Sequence, residues 1–348
     1  MQAGTLKWDH LRSVLGRIVA GLLPCAALLG ASPAAAQAIP GNTGAVTVLA
    51  EGLATPTTVA VRGGVAFVPE GQLTRLGTLG GLFQARAISL EGAGILGDAN
   101  LRIVVPGNDY FPEGIALDPV TGDLFVSSIF NGTIMKFPVG AARQQFLGRA
   151  GGAGTLQRAA LGVRVDNARN LLWACDSSLA VPGATVTGLS LVDASIAVRH
   201  ELPDGSLCND IVLDAAGNLL LTESLVGQVF RIAAADALTP NSAQLFLATP
   251  EIAPPTAGAA GANGLAIAGG ILFVANTNAG ALVRFDLAAA NVAASASVVT
   301  LREGAVAAAI LSGPDGVLPL SDTQLLVVEN GFAGAGNTRL VRVDLDPQ

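Results

Sequence analysis

Four side chains with oxygen donors recur at one phase of this sequence: Glu113, Asn209, Asn263 and Asp315. Each stands at the head of a short apolar run, as in "EGIALDPVTGDLFVSS", "NDIVLDAAGNLLLTES", "NGLAIAGGILFVANT" and "PDGVLPLSDTQLLVVE". Two carboxylates and two carboxamides, with no thiolate or imidazole among them, form a hard donor set. Ca²⁺ takes roughly six to eight oxygens from such groups and from water. Glu113 and Asp315 would balance the two charges of Ca²⁺ or another hard divalent cation, and Asn209 and Asn263 would add neutral oxygens. Four protein ligands leave coordination places for water or a substrate. Zinc, which prefers sulfur and nitrogen, is disfavoured. Polar residues before strands also serve simply to cap turns. Four at one repeat phase favour a ligand set, because unpaired carboxylates gathered in one place are costly.

The elements that must position these residues repeat every 47–55 residues, from copies beginning near 58, 113, 162, 209, 263 and 315. Besides the four segments above, "TTVAVRGGVAFVPE" from Thr57 and "LGVRVDNARNLLWACD" from Leu161 complete the set. Each copy reads as two apolar strands joined by a turn rich in Gly, Asn or Asp, followed by a third and sometimes a fourth strand. Repeats of this length and content predict an all-β, six-bladed β-propeller of four-stranded blades. The lone strand at 45–50 is expected to close the ring as the outer strand of the last blade, which removes exposed edges. The innermost strands then line a central channel. Thr57/Thr58, Glu113, Gly162/Val163, Asn209, Asn263 and Asp315 stand at one mouth. The second strand of each blade returns to the same face. Its end supplies a second tier for substrate or ligand orientation: Glu70, Ser128, Asp176, Glu223, Asn276 and Glu329. Lys136, Arg231, Arg284 and Arg342, on third strands, read as solvated charges.

The segments "FPEGIALDPVTGDLFV", "GVRVDNARNLLWACD", "LCNDIVLDAAGNLLLTES", "ANGLAIAGGILFVANT" and "GPDGV" resemble the senescence-marker/gluconolactonase/luciferin-regenerating-enzyme-like propellers. That resemblance implies a catalytic Ca²⁺ held by Glu, Asn, Asn and Asp in cyclic order, with one blade skipped after the Glu. Glu113, Asn209, Asn263 and Asp315 follow that order, although the Glu comes from the second blade rather than the first. No residue here matches the family's substrate-gripping Arg. The implied activity is calcium-dependent hydrolysis of a lactone or related ester, with Asp315 as the catalytic group that handles the proton. The alternative is a non-catalytic propeller that binds a small ligand or a protein, with the metal as a structural plug. A strictosidine-synthase-like condensing enzyme would need an aromatic-lined pocket, which 4% aromatic residues make hard to build.

The chain has 348 residues, 51% of them hydrophobic, and 43 glycines, which excludes disorder and helical bundles. Residues 1–36 read as a secretory signal: a basic start, the apolar run "IVAGLLPCAALLGA", then small residues in "ASPAAAQA". Residues 37–348 form the single propeller domain, exported to a periplasm or the exterior. Loss of Lys7, Arg12, Arg17 and Asp9 with the signal takes the net charge from −7 to −9. An acidic surface excludes nucleic acid and anionic membrane as partners, and suits a small-molecule substrate and a monomer. Cys175 and Cys208 read equally as a disulfide or as two buried thiols. His200 is the single histidine of the mature chain. It lies in an outer strand, so no Ser-His-Asp triad is expected.

Overall fold

Apolar runs separated by Asx and Gly turns fold, in the computed structural model, into six sheets, antiparallel except for one strand pair. The structure describes residues 39–72, 83–92, 94–97, 103–105, 110–140, 142, 144–147, 159–177, 183–331 and 336–348. The segment read as an export signal lies outside them. The innermost strands are Ala60–Arg62, Pro112–Leu117, Ala159–Asp166, Cys208–Leu213, Ala262–Ala268 and Pro314–Ser321. Five sheets have four strands paired in chain order. The expected six-bladed propeller is the observed fold.

The sixth sheet closes the ring as expected. Pro40–Glu51 pairs antiparallel with the last strand, Arg339–Pro347. Two further strands, Thr300–Glu303 and Val306–Ala309, extend this sheet to six, with Thr300–Glu303 running parallel to the N-terminal strand. No helix among the described residues is long and apolar enough to cross a membrane.

Sequence accounts for the local structure. The second strands Leu124–Ser128, Leu171–Ser177, Leu219–Glu223 and Ile271–Asn276 are buried at every residue, which is why they read as continuous apolar runs. The Asp that ends three inner strands caps the following turn. Asp118 Oδ1 accepts from the Val120 amide at 2.9 Å, Asp166 Oδ1 from Arg169 at 3.2 Å, and Asp214 Oδ1 from Ala216 at 2.9 Å. Neighbouring blades interlock through apolar clusters, such as Trp173 and Val186 of the third blade with Ile211 and Leu221 of the fourth. The third-strand charges are less uniform than expected. Arg231 is exposed, but Arg284 is 8% exposed. Lys136 bonds Asp123 at 2.9 Å.

One irregularity recurs and governs the site. The first two strands lose register at the same point in five blades: between Pro112 and Ile115, Ala160 and Val163, Cys208 and Ile211, Ala262 and Leu265, and Pro314 and Val317. Two inner-strand residues there face one residue of the second strand, which is a β-bulge. Glu113–Gly114 faces Ser127, Leu161–Gly162 faces Cys175, and Asn209–Asp210 faces Thr222. Asn263–Gly264 faces Ala275, and Asp315–Gly316 faces Val328.

The second bulge residue is glycine in four blades because the next blade leaves no room. A Cβ at Gly264 would overlap the Asp315 carbonyl, and one at Gly316 the Thr58 backbone. Gly264→Ala is therefore expected to destabilise the protein by about 2 kcal/mol or more in urea unfolding. Gly97→Ala, where a Cβ meets nothing within 4 Å, should change stability by less than about 0.5 kcal/mol. Equal effects of the two substitutions would contradict this packing.

Candidate functional site

The bulges bring six blades together around one narrow axial cavity. Its wall includes the second bulge residue of five blades, Gly114, Gly162, Asp210, Gly264 and Gly316, and Thr58 of the first blade. Glu113, Asn209 and Asp315 join that wall, and the space holds about one water molecule. Three of the four predicted ligands therefore meet. The fourth, Asn263, immediately precedes the wall residue Gly264. Its Nδ2 donates to Thr277 Oγ1 at 2.8 Å, which fixes the amide orientation. The third blade lines the cavity with Gly162 and Val163, the expected mouth positions, while Leu161 takes the bulge position that Glu113 holds in the second blade. An apolar residue there explains why that blade contributes no ligand.

Asp210 is a site residue that the spacing argument missed. It occupies the column that is glycine in four other blades, and it puts a third carboxylate on the cavity wall. Its Oδ1 accepts from the Ile211 amide at 2.8 Å and its Oδ2 from Leu265 of the next blade at 3.3 Å. Aligning the bulge pairs Glu-Gly, Leu-Gly, Asn-Asp, Asn-Gly and Asp-Gly would have exposed it.

The three carboxylates burden one another. Burial, then the charges of Asp315 and Asp210, pushes Glu113 well above the usual carboxylate range. Asp315 is raised to about 8 by burial and by the charge of Asp210, against the opposing hydrogen bond from Asn330 Nδ2 at 2.8 Å. Burial raises Asp210 to about 6, opposed by its two amide bonds and by the charge of Arg164. Arg164 is half-buried on the neighbouring inner strand.

Two observations bear on whether a cation fits. Glu113 Oε2 and Asn263 Oδ1 are buried acceptors with no hydrogen-bond partner. An unpaired buried acceptor carries a desolvation penalty of roughly 1–3 kcal/mol, which a cation would relieve. Among the described residues, however, no three His, Cys, Asp or Glu side chains are arranged to hold a metal by themselves. A cation on this axis has to draw on the amide oxygens of Asn209 and Asn263 as well. Oxygen-only donors suit Ca²⁺, so the residues fit that ion.

The second tier is buried but turns to its own loops, and none of the six lines the cavity. Glu70 Oε1 accepts from the Ala54 amide at 2.8 Å, and its Oε2 from Arg86 at 2.9 Å. Ser128 bonds the Tyr110 carbonyl, and Asp176 accepts from Thr185 at 3.4 Å. Glu223 accepts from the amides of Leu207, Leu225 and Val226 at 2.8–3.1 Å. Asn276 donates to the carbonyls of Glu251 and Ala253. Glu329 binds the Ser312 amide and Arg339. In most blades these contacts hold the loop that leads into the inner strand. His200 is likewise committed: Ser242 N–H donates to its Nδ1 at 3.2 Å, so Nε2–H donates to Ala237 O at 3.0 Å. Burial lowers its pKa and keeps it neutral.

Known proteins share this architecture at low sequence identity. No protein-family model matches the chain, and no curated protein matches it. Among solved structures, it is similar to a structural genomics protein of unknown function from Bacteroides thetaiotaomicron VPI-5482, with TM-score 0.59 and 12% identity over 88% of this chain and 73% of that one. It is also similar to a streptogramin B lyase, with TM-score 0.54 and 10% identity over 86% of this chain and 97% of the other. The selenomethionine-substituted virginiamycin B lyase from Staphylococcus aureus gives TM-score 0.53 and 12% identity over 86% and 98%. At these identities the likeness establishes the propeller fold alone.

The raised carboxylates give metal-free protein a pH signature. Their folded pKa values lie above the unfolded value, so their stabilisation is complete below about pH 4 and is lost as pH rises through about 6 for Asp210 and about 8 for Asp315. Between pH 5 and 8, metal-free wild type should lose more stability than Asp315→Asn. The contribution of His200 has the opposite sign and is common to both proteins. Equal pH slopes in thermal melts would contradict the raised Asp315.

Proposed function

We propose that this chain is an exported, calcium-dependent hydrolase of a lactone or related ester, with its cation on the propeller axis. One observation carries the reading: Glu113 Oε2 and Asn263 Oδ1 are buried without a partner, and Glu113 lines a cavity where the charges of Asp315 and Asp210 raise its pKa. Glu113, Asn209, Asn263 and Asp315 would hold Ca²⁺. A bound Ca²⁺ would polarise the ester carbonyl and stabilise the oxyanion.

Asp315 handles the proton. Its Oδ2 is held by Asn330, which fixes the carboxylate on the cavity wall. It accepts a proton from the attacking water and returns it to the departing alkoxide. Gly162 and Val163 leave the blade-three side of the cavity free of competing side-chain donors. The Cys175–Cys208 disulfide supports export, because such bonds persist in oxidising compartments. Two structural neighbours carry the name lyase. Their substrates do not transfer at such low identity.

A second reading is a non-catalytic binding propeller with Ca²⁺ as a structural plug. The small axial cavity, with room for about one water molecule, favours it. Tight calcium binding with no turnover across a broad lactone and ester panel would select the plug.

Glu113→Gln keeps the size of the side chain and removes its charge. It should fold normally by circular dichroism, bind Ca²⁺ at least about 100-fold more weakly in calorimetry, and lose chelator-sensitive lactone hydrolysis. Undiminished hydrolysis in this variant, or in excess chelator, would end the hydrolase reading.

A further inference from the structure

We propose that the Cys175–Cys208 disulfide is a positioning element of the axial site, which sets Asn209 for cation binding. The inference rests on the reading of Asn209 as a ligand. A pattern across the blades supports it. In the second and fourth blades the residue facing the bulge carries a hydroxyl, and that hydroxyl holds the bulge of the next blade. Ser127 Oγ donates to the Leu161 carbonyl at 2.6 Å, and Thr222 Oγ1 to the Asn263 carbonyl at 2.5 Å. Thr57 Oγ1 does the same for the Glu113 carbonyl at 2.6 Å.

In the third blade the equivalent position is Cys175. By the same logic it should clasp the Asn209 bulge. It does so covalently, through Cys208, the residue immediately before Asn209. The two Cα atoms are 5.3 Å apart, and both cysteines are fully buried. Ser177 Oγ donates to the Cys208 carbonyl at 3.0 Å, and Gly162 packs against the Asn209 carbonyl. The sulfur bridge thus stands where its neighbours have a hydrogen bond.

The need for a stronger clasp is local. Asn209 is followed by Asp210, whose carboxylate shares the cavity with Glu113 and Asp315. The bridge ties the strand at the residue just before this bulge, so it restrains where Asn209 and Asp210 sit. Groups that orient metal ligands typically change metal affinity by about 10–100-fold when removed.

The test compares the oxidised protein with Cys175→Ala/Cys208→Ala, using Ca²⁺ alone as the probe. Folding is followed by circular dichroism and affinity by calorimetry. A purely structural bridge lowers the melting temperature of metal-free protein and leaves the calcium Kd unchanged. A positioning bridge weakens the Kd by about 10-fold or more in protein that is still folded. Wild type refolded in dithiothreitol should match the variant and regain its affinity on reoxidation. An unchanged Kd in the folded variant overturns the inference. So does failure of both the variant and the reduced protein to fold at any calcium concentration, because the bridge would then be a staple of the whole fold. If the oxidised protein itself binds no calcium, the ligand reading fails, and this inference falls with it for that separate reason.

Discussion

One extra residue at the head of an inner strand is the constraint on which the rest of this structure depends. A regular strand would alternate its side chains between the two faces of the blade. The bulge breaks that alternation where the strand reaches the axis, so one side chain is re-aimed and the next residue meets the neighbouring blade. Glycine follows Glu113, Asn263 and Asp315 because a Cβ at that point would overlap backbone. Hydroxyls of one blade then bond the bulge carbonyls of the next. Ring packing and site geometry are thus one set of contacts.

The cost of this arrangement is electrostatic. Three carboxylates share a cavity, the charge of Arg164 acts on one of them, and the buried acceptors Glu113 Oε2 and Asn263 Oδ1 lack partners. A fold selected for stability alone would place apolar side chains at these positions, as the third blade does with Leu161. Such local violations of good packing are expected at functional sites. Three buried glutamates elsewhere are closely satisfied. Glu70, Glu223 and Glu329 are almost completely buried, yet each accepts several hydrogen bonds from loop amides or arginines. The contrast between these satisfied glutamates and Glu113 marks the axis as different in kind.

Much of this was legible in the sequence. The six blades followed from turn chemistry and a repeat near fifty residues, and the closing strand from a lone apolar segment at 45–50. The meeting of Glu113, Asn209 and Asp315 followed from shared phase. What escaped the reading depends on non-local pairing. That Leu161 takes the bulge position in the third blade is a matter of register, which "LGVRVD" does not reveal by itself. Asp210 escaped because Asn209 alone was assigned to the mouth in the fourth blade, whereas the bulge presents two residues. The role of the second-strand termini as loop clasps depends on loops distant in sequence, as with Glu70 and Ala54.

The central claim is that side-chain oxygens from four blades converge on one ion. Anomalous diffraction from crystals soaked in calcium addresses it most directly. The account predicts a single peak on the propeller axis, about 2.3–2.6 Å from oxygens of Glu113, Asn209, Asn263 and Asp315. An empty axis at saturating calcium, or a peak bound by other residues while Glu113 Oε2 and Asn263 Oδ1 turn away, would contradict it.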